Sequence, residues 1–156
     1  MVIREYCAGD RAALVEQFQS LNQIEDAITG DRRTDRQAGA DSLDAALRRI
    51  SGTAGRALVA ERDGQIVGFL FVAIEEDAVF VREELRTYAR VAEFFVRDTE
   101  RGSGVGRALL KEAEQLAAAR GLSRLAVSVL SGNSDALAAY ARLGFTAYSV
   151  DLAKSV

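Results

Sequence analysis

Apolar residues recur along this chain at two periods, and the switches between them mark the elements. Residues 2–7 read as a first strand. Leu14, Val15 and Phe18 share one face of a helix over 11–20 that Asp10 can cap. A second, short helix is expected over 21–28. Residues 30–40 are polar, rich in Arg and Asp, and read as a mobile loop that stays out of the core. Asp41 can cap the next helix, where Leu43, Leu47 and Ile50 recur at spacings of four and three. Strands follow over 56–62 and 65–75, joined by Asp63-Gly64, a favoured hairpin pair. Residues 76–86 carry no clear pattern, and 88–97 read as a further strand.

From 104 to 120 the period is helical. Val105, Leu109, Ala113 and Leu116 form its buried stripe, and Gly121 ends it. Period two returns at Leu125, Val127 and Val129, within a strand over 123–130. A helix over 133–143, which Gly144 can end, and a last strand over 145–152 complete the pattern. The expected fold is one α/β domain over 1–156, with a mixed sheet and helices on both faces.

Composition narrows the chemistry. An apolar share of 49% beside 28% charged residues suits a soluble globular domain. No apolar run nears the ~20 residues of a membrane span, so no membrane partner is expected. Residues 1–10 have no signal-peptide core. The single cysteine, Cys7, cannot form an intrachain disulfide, fits the cytoplasm, and is expected as a small core residue. A net charge of −3 argues against a nucleic-acid partner. Histidine is absent, which removes Ser-His-Asp and Cys-His catalysis and any His-ligated metal, so no metal is expected. Acid–base work is left to carboxylates, tyrosine, lysine, cysteine or water.

The most telling stretch runs Arg101-Gly102-Ser103-Gly104-Val105-Gly106-Arg107, between a strand and a helix. Alone, such a loop reads equally as a flexible turn or as a phosphate site at a helix start. Arg107 stands where a dinucleotide-binding G-x-G-x-x-G would need its last glycine, and no P-loop string occurs. What fits is R-x-x-G-x-G over 101–106. Downstream, Asn133, Ala136, Tyr140, Leu143, Gly144 and Phe145 fit N-x-x-A-x-x-x-Y-x-x-x-G-F with an apolar residue before the glycine. Together with the preceding Val91-Ala92-Glu93-Phe94-Phe95-Val96, these resemble the paired signatures of the GNAT acyltransferases. The match covers residues 91–145, and the first half agrees only in its order of elements.

The resemblance implies a largely antiparallel mixed sheet with a splayed strand pair at the cofactor site. It implies acetyl transfer from acetyl-CoA, as cosubstrate, to the amine of a small molecule by direct attack. A peptide or protein acetyltransferase and a non-catalytic acyl-CoA-binding module are the alternatives. A homodimer is the default assembly. Gly102, Gly104, Val105, Gly106 and Arg107 would hold the pyrophosphate through backbone N–H groups, with Arg101 adding charge. Phe95, Val96 and Arg97 would hydrogen-bond the pantetheine arm, and a peptide N–H there would polarise the thioester carbonyl.

Tyr140 is the candidate general acid toward the departing thiolate; alone it reads as a core aromatic. Asn133 lies two helical turns earlier on the same face and would touch the cofactor arm, besides serving as an N-cap. Glu93 is the candidate base, or else an exposed strand charge. Small-amine acetyltransferases such as the spermidine/spermine enzymes carry two acidic residues at this point, where this chain has Ala92-Glu93. An acidic cluster at Glu75, Glu76, Asp77, Glu83 and Glu84 reads either as an attractor of cationic acceptors or as a solvated face.

Overall fold

The computed structural model describes residues 1–156. Five strands form one sheet in the order β1-β2-β3-β4-β5: β1 Val2–Glu5, β2 Arg56–Arg62, β3 Gln65–Glu76, β4 Thr87–Val96 and β5 Leu125–Val127. The first three pairings are antiparallel and β4–β5 is parallel, giving the mixed sheet expected. The β2–β3 turn is tight because Asp63 and Gly64 both take positive φ, 52° and 73°.

Helices cover both faces. Helix α1 (Arg11–Thr29) and α2 (Arg36–Ser51) lie on one, and Leu14, Phe18, Leu43 and Ile50 pack on Val59, Phe69, Phe71 and Phe95. Phe18 stacks on Phe69 with centroids 4.5 Å apart. Helix α4 (Val105–Ala119) covers the other face, and its stripe of Val105, Leu109, Ala113 and Leu116 is buried against Leu58, Leu70, Val72 and Val91. Helix α3 (Glu83–Arg86) is a single turn before β4, and α5 (Ser134–Arg142) follows β5.

Four expectations are corrected. No break falls at residue 21: α1 runs unbroken to Thr29, because Leu21 and Ile24 continue the stripe of Leu14 and Phe18. Gly30, at φ 70°, ends it. Residues 36–40 are not loop. The N-cap of α2 is Asp35, whose side chain accepts from the Ala38 N–H at 2.8 Å, not Asp41. Ala38 and Gly39 are buried; a Cβ on Gly39 would sit 2.6 Å from the Val15 carbonyl, so the bare glycine lets α2 approach α1. The polar composition concealed this contact, because the residues that make it are small rather than apolar.

The last strand does not form. Tyr148, Val150 and Leu152 alternate correctly but stand 80%, 78% and 93% exposed. Alternation makes a strand only beside an edge to bond to, and β5 is three residues long. Cys7, finally, is exposed rather than buried, on the turn after β1.

That turn is held by an ion pair whose carboxylate is buried. Arg4 clasps both oxygens of Asp10 at 2.8 Å, and Asp10 also accepts from the Cys7 N–H at 2.9 Å. The Arg4 hydrogen bonds, outweighing burial, pull the Asp10 carboxyl down from 3.8 to about 2. A depressed carboxylate stabilises the fold above its unfolded pKa and loses that contribution as pH falls through its folded one. Asp10→Asn is expected to cost about 2 kcal/mol at pH 7. The difference from wild type should close between pH 4 and pH 2, as read by urea denaturation across that range.

Candidate active site

The site grows from a fault in the β3–β4 ladder. Phe71 pairs with Glu93 and Val72 with Val91, so Ala92 is an extra residue in β4, a β-bulge. Pairing between β4 and β5 stops at Val91–Val127. Beyond the bulge the two chains part, leaving the β5-facing edge of residues 92–96 without a strand neighbour. The bulge also shifts which groups face that edge. The Arg97 N–H donates to the Val67 carbonyl at 2.9 Å. By alternation Phe95 likewise turns its backbone to β3, and Phe94 and Val96 present theirs to the gap. Of the three residues expected to hold a pantetheine arm, Val96 therefore has its N–H on the free side. Phe94 is an addition that periodicity without the bulge would misplace.

At the end of β4 the chain turns into the glycine loop. Gly102 and Gly104 take φ of 77° and 92°, and nothing stands within 4 Å of where a Cβ would be on either. The loop is therefore open on that side. The first bond into α4 is Ala108 N–H to the Gly104 carbonyl. The N–H groups of Gly102, Gly104, Val105, Gly106 and Arg107 have no partner in the chain, and no side chain caps the helix. Five unpaired donors around one helix start make an anion cradle. Arg107 is exposed and free of ion pairs, whereas Arg101 is paired with Asp98 at 2.8 Å. Gly106 sits close to β4, its Cβ position lying 3.2 Å from the Phe94 ring.

Phe94 is the partition between this cradle and the second motif. Its ring lies 6.2 Å from that of Tyr140, which meets Phe145 edge-on at 5.4 Å. Asn133 caps α5, its Oδ1 accepting from the Ala136 N–H at 3.1 Å, and so fixes the helix that carries Tyr140. The Tyr140 hydroxyl bonds to nothing in the chain, and burial pushes its pKa up to about 12.

Glu93 and Phe95 share the α1–α2 face of β4, and Phe94 lies on the other. Tyr140 and Glu93 thus come from opposite sides of the sheet and meet where the strands part. A cavity of about 120 Å³ there is lined by Glu93, Tyr140 and Asn133 together, with Leu21 and Glu25 of α1 closing one wall. Burial, and secondarily the charge of Glu25, raise the Glu93 carboxyl from 4.5 to about 7 against a smaller opposing effect of Arg49. Glu25 went unnoticed in the sequence. The signal was there: Leu14, Phe18, Leu21 and Glu25 step by four, three and four, placing a carboxylate on a buried stripe.

The acidic cluster is largely neutralised or solvated. Glu75 is bound by Arg49, by Arg90 at 2.8 Å and by Tyr88 at 3.1 Å; Asp77 is bound by Arg124. Glu76, Glu83 and Glu84 are exposed. None lines the cavity.

The site thus combines unpaired N–H groups at a helix start, a parted strand pair, and a half-buried carboxyl and phenol that line the gap. Residues 18–145 match the acetyltransferase (GNAT) family, and the chain belongs to that family. It is 33% identical over 99 residues to a mycothiol acetyltransferase of Amycolatopsis mediterranei (strain U-32), covering 60% of this chain and 31% of that one. It is 36% identical over 90 residues to an IAA acetyltransferase of Azospirillum brasilense, covering 58% and 54%. The chain thus spans about a third and about half of these relatives. The BH1408 protein of Bacillus halodurans superposes with a TM-score of 0.86 at 19% identity, over 100% of this chain and 99% of that one. An aminoglycoside 6'-N-acetyltransferase of Acinetobacter haemolyticus gives 0.71 at 19%, over 100% and 99%. At these identities the structural likeness shows the fold.

Proposed function

We propose that this protein transfers an acetyl group from acetyl-CoA to the amine of a small molecule by direct attack. The observation that carries the reading is the set of five unpaired N–H groups at the α4 start, divided only by the Phe94 ring from the strand gap that Glu93 and Tyr140 line. The cradle suits a pyrophosphate, and the free edge at Phe94 and Val96 suits the two amides of a pantetheine arm. Acetyl-CoA, when bound, supplies the activated thioester. A small, partly open cavity favours a small acceptor over a polypeptide, in line with relatives named for mycothiol and IAA acetylation.

Glu93 and Tyr140 divide the proton work. With a pKa near 7, Glu93 is ionised in about half of the molecules at neutral pH, and these can accept the proton that an ammonium must shed before its nitrogen can attack. Tyr140 keeps its proton at neutral pH. Full transfer from such a phenol to a thiolate of pKa ~8.5 is uphill, so Tyr140 acts by donating a hydrogen bond to the sulfur as the C–N bond forms and the C–S bond breaks.

The test is an amine panel with acetyl-CoA, read by release of free thiol, beside Gly104→Val. At φ 92° a branched residue is strained by about 1–3 kcal/mol and pulls the donors out of place. Acetyl-CoA affinity should fall about tenfold or more, ~1.4 kcal/mol. Wild-type affinity by calorimetry in a folded Gly104→Val protein would remove the cradle assignment. Acetyl-CoA binding without turnover on any amine would leave a binding module in place of an enzyme.

A further inference from the structure

We infer that Glu25 selects the acceptor: the cavity takes primary amines with an apolar body and no carboxylate, held as ammonium ions between Glu25 and Glu93. The inference rests on the acetyl-transfer reading for the identity of the pocket. It adds the substrate class and a specificity-determining residue.

The lining carries it. Eight of the cavity's walls are aliphatic or aromatic carbon: Leu21 from α1, Val91, Ala92 and Phe94 from β4, Val127, Val129 and Leu130 from β5 and beyond, and Ala136 from α5. The charged side chains that reach it are Glu25 of α1 and Glu93 of β4, both from the α1 side of the sheet; no lysine or arginine lines it. Two carboxylates in apolar walls favour a cation and penalise an anion, since burying an unpaired charge is costly. An α-amino acid would bring its carboxylate into a space with no positive partner. A neutral molecule would leave Glu93, and the Glu25 oxygen that Arg32 does not reach, without a cationic partner.

The surroundings of Glu25 suit this task. The Arg32 Nε donates to one of its oxygens at 3.0 Å and sets the side chain, and the other oxygen has no partner in the chain. Arg32 is itself drawn outward by Asp31 and does not line the cavity. Arg49, whose charge reaches Glu93, is committed to Glu75 through both Nε and a terminal nitrogen. Arg32 is thus shared between two carboxylates and Arg49 is held by Glu75, so no cation enters the cavity that Glu25 and Glu93 line.

Butylamine, norvaline and 1-butanol test this, because norvaline adds a carboxylate to butylamine and butanol removes its charge. Binding is measured by calorimetry, with and without saturating coenzyme A, so that the result does not depend on turnover. Butylamine should bind at least about tenfold more tightly than either analogue, and Glu25→Gln should remove most of that preference. Glutamine still accepts from Arg32, so α1 keeps its geometry, and unchanged circular dichroism and coenzyme A affinity check that it does. Equal binding of norvaline and butylamine, or an undiminished preference in Glu25→Gln, overturns the inference while leaving acetyl transfer standing. A Glu25-dependent preference without any acetylation upholds it and sinks the enzyme reading instead.

Discussion

Tyr140→Phe lowers kcat by about 10²–10³-fold while acetyl-CoA affinity stays near wild type. The expectation follows from where the ring and the hydroxyl do their separate work. The ring packs on Phe94 and Phe145, and phenylalanine keeps both contacts. The hydroxyl has no partner in the chain, so its removal strands no buried donor and should leave stability nearly unchanged. What is lost is one hydrogen bond to sulfur in the state where negative charge develops. Because the phenol pKa is pushed up to about 12, the wild-type rate should show no tyrosine limb below pH 10. Pre-steady-state release of thiol would separate this step from product release. A wild-type single-turnover rate in Tyr140→Phe would reduce the residue to packing.

Glu93→Gln should cut kcat/KM by about 10²-fold at pH 7 and recover part of it at high pH, where the acceptor is already a free amine. In the wild type the rate should climb as pH rises through about 7, the point at which Glu93 becomes a base. The same substitution should stabilise the protein, with a pH signature of its own. A glutamate whose pKa is raised from 4.5 to about 7 holds its proton in the fold after the unfolded chain has lost it. The native state binds more protons between those values, so wild-type stability falls as pH rises through that window and levels off above it. Glutamine does not titrate. The thermal midpoint of Glu93→Gln should therefore exceed that of the wild type at pH 8 and match it more closely at pH 4. Identical pH–rate and pH–stability profiles in the two proteins would place Glu93 outside the chemistry.

Locally written features were legible in the residues. The stripe of Val105, Leu109, Ala113 and Leu116, the Asp63-Gly64 hairpin and the glycine spacing at 102–106 each depend on neighbours a few positions away, and each stands in the structure as its spacing required. What depended on contact partners was hidden. Ala92 carries no mark of a bulge, because a neutral residue fits either face of a strand. Splitting α1 at residue 21 broke the stripe that would have singled out Glu25. Residues 145–152 have a strand's alternation, but no local signal says whether an edge is available to receive them. The Gly39 contact with α1 lay inside a stretch whose arginines and aspartates spoke only for solvent.

The extra residue at position 92 has a further consequence for how this chain can vary over time. The groups offered along the gap are peptide N–H and C=O, which every residue but proline supplies. Their availability depends on the count of residues along β4, with Ala92 shifting that count by one. Substitutions at positions 94 and 96 can therefore drift among side chains of fitting size without erasing the ligand-facing edge. One inserted or deleted residue between Val91 and Val96 would either turn Phe95 and Arg97 to the edge at the cost of their bonds to β3, or shift the whole β3–β4 register. Descendants of this gene should tolerate spelling changes in that stretch and reject changes of length.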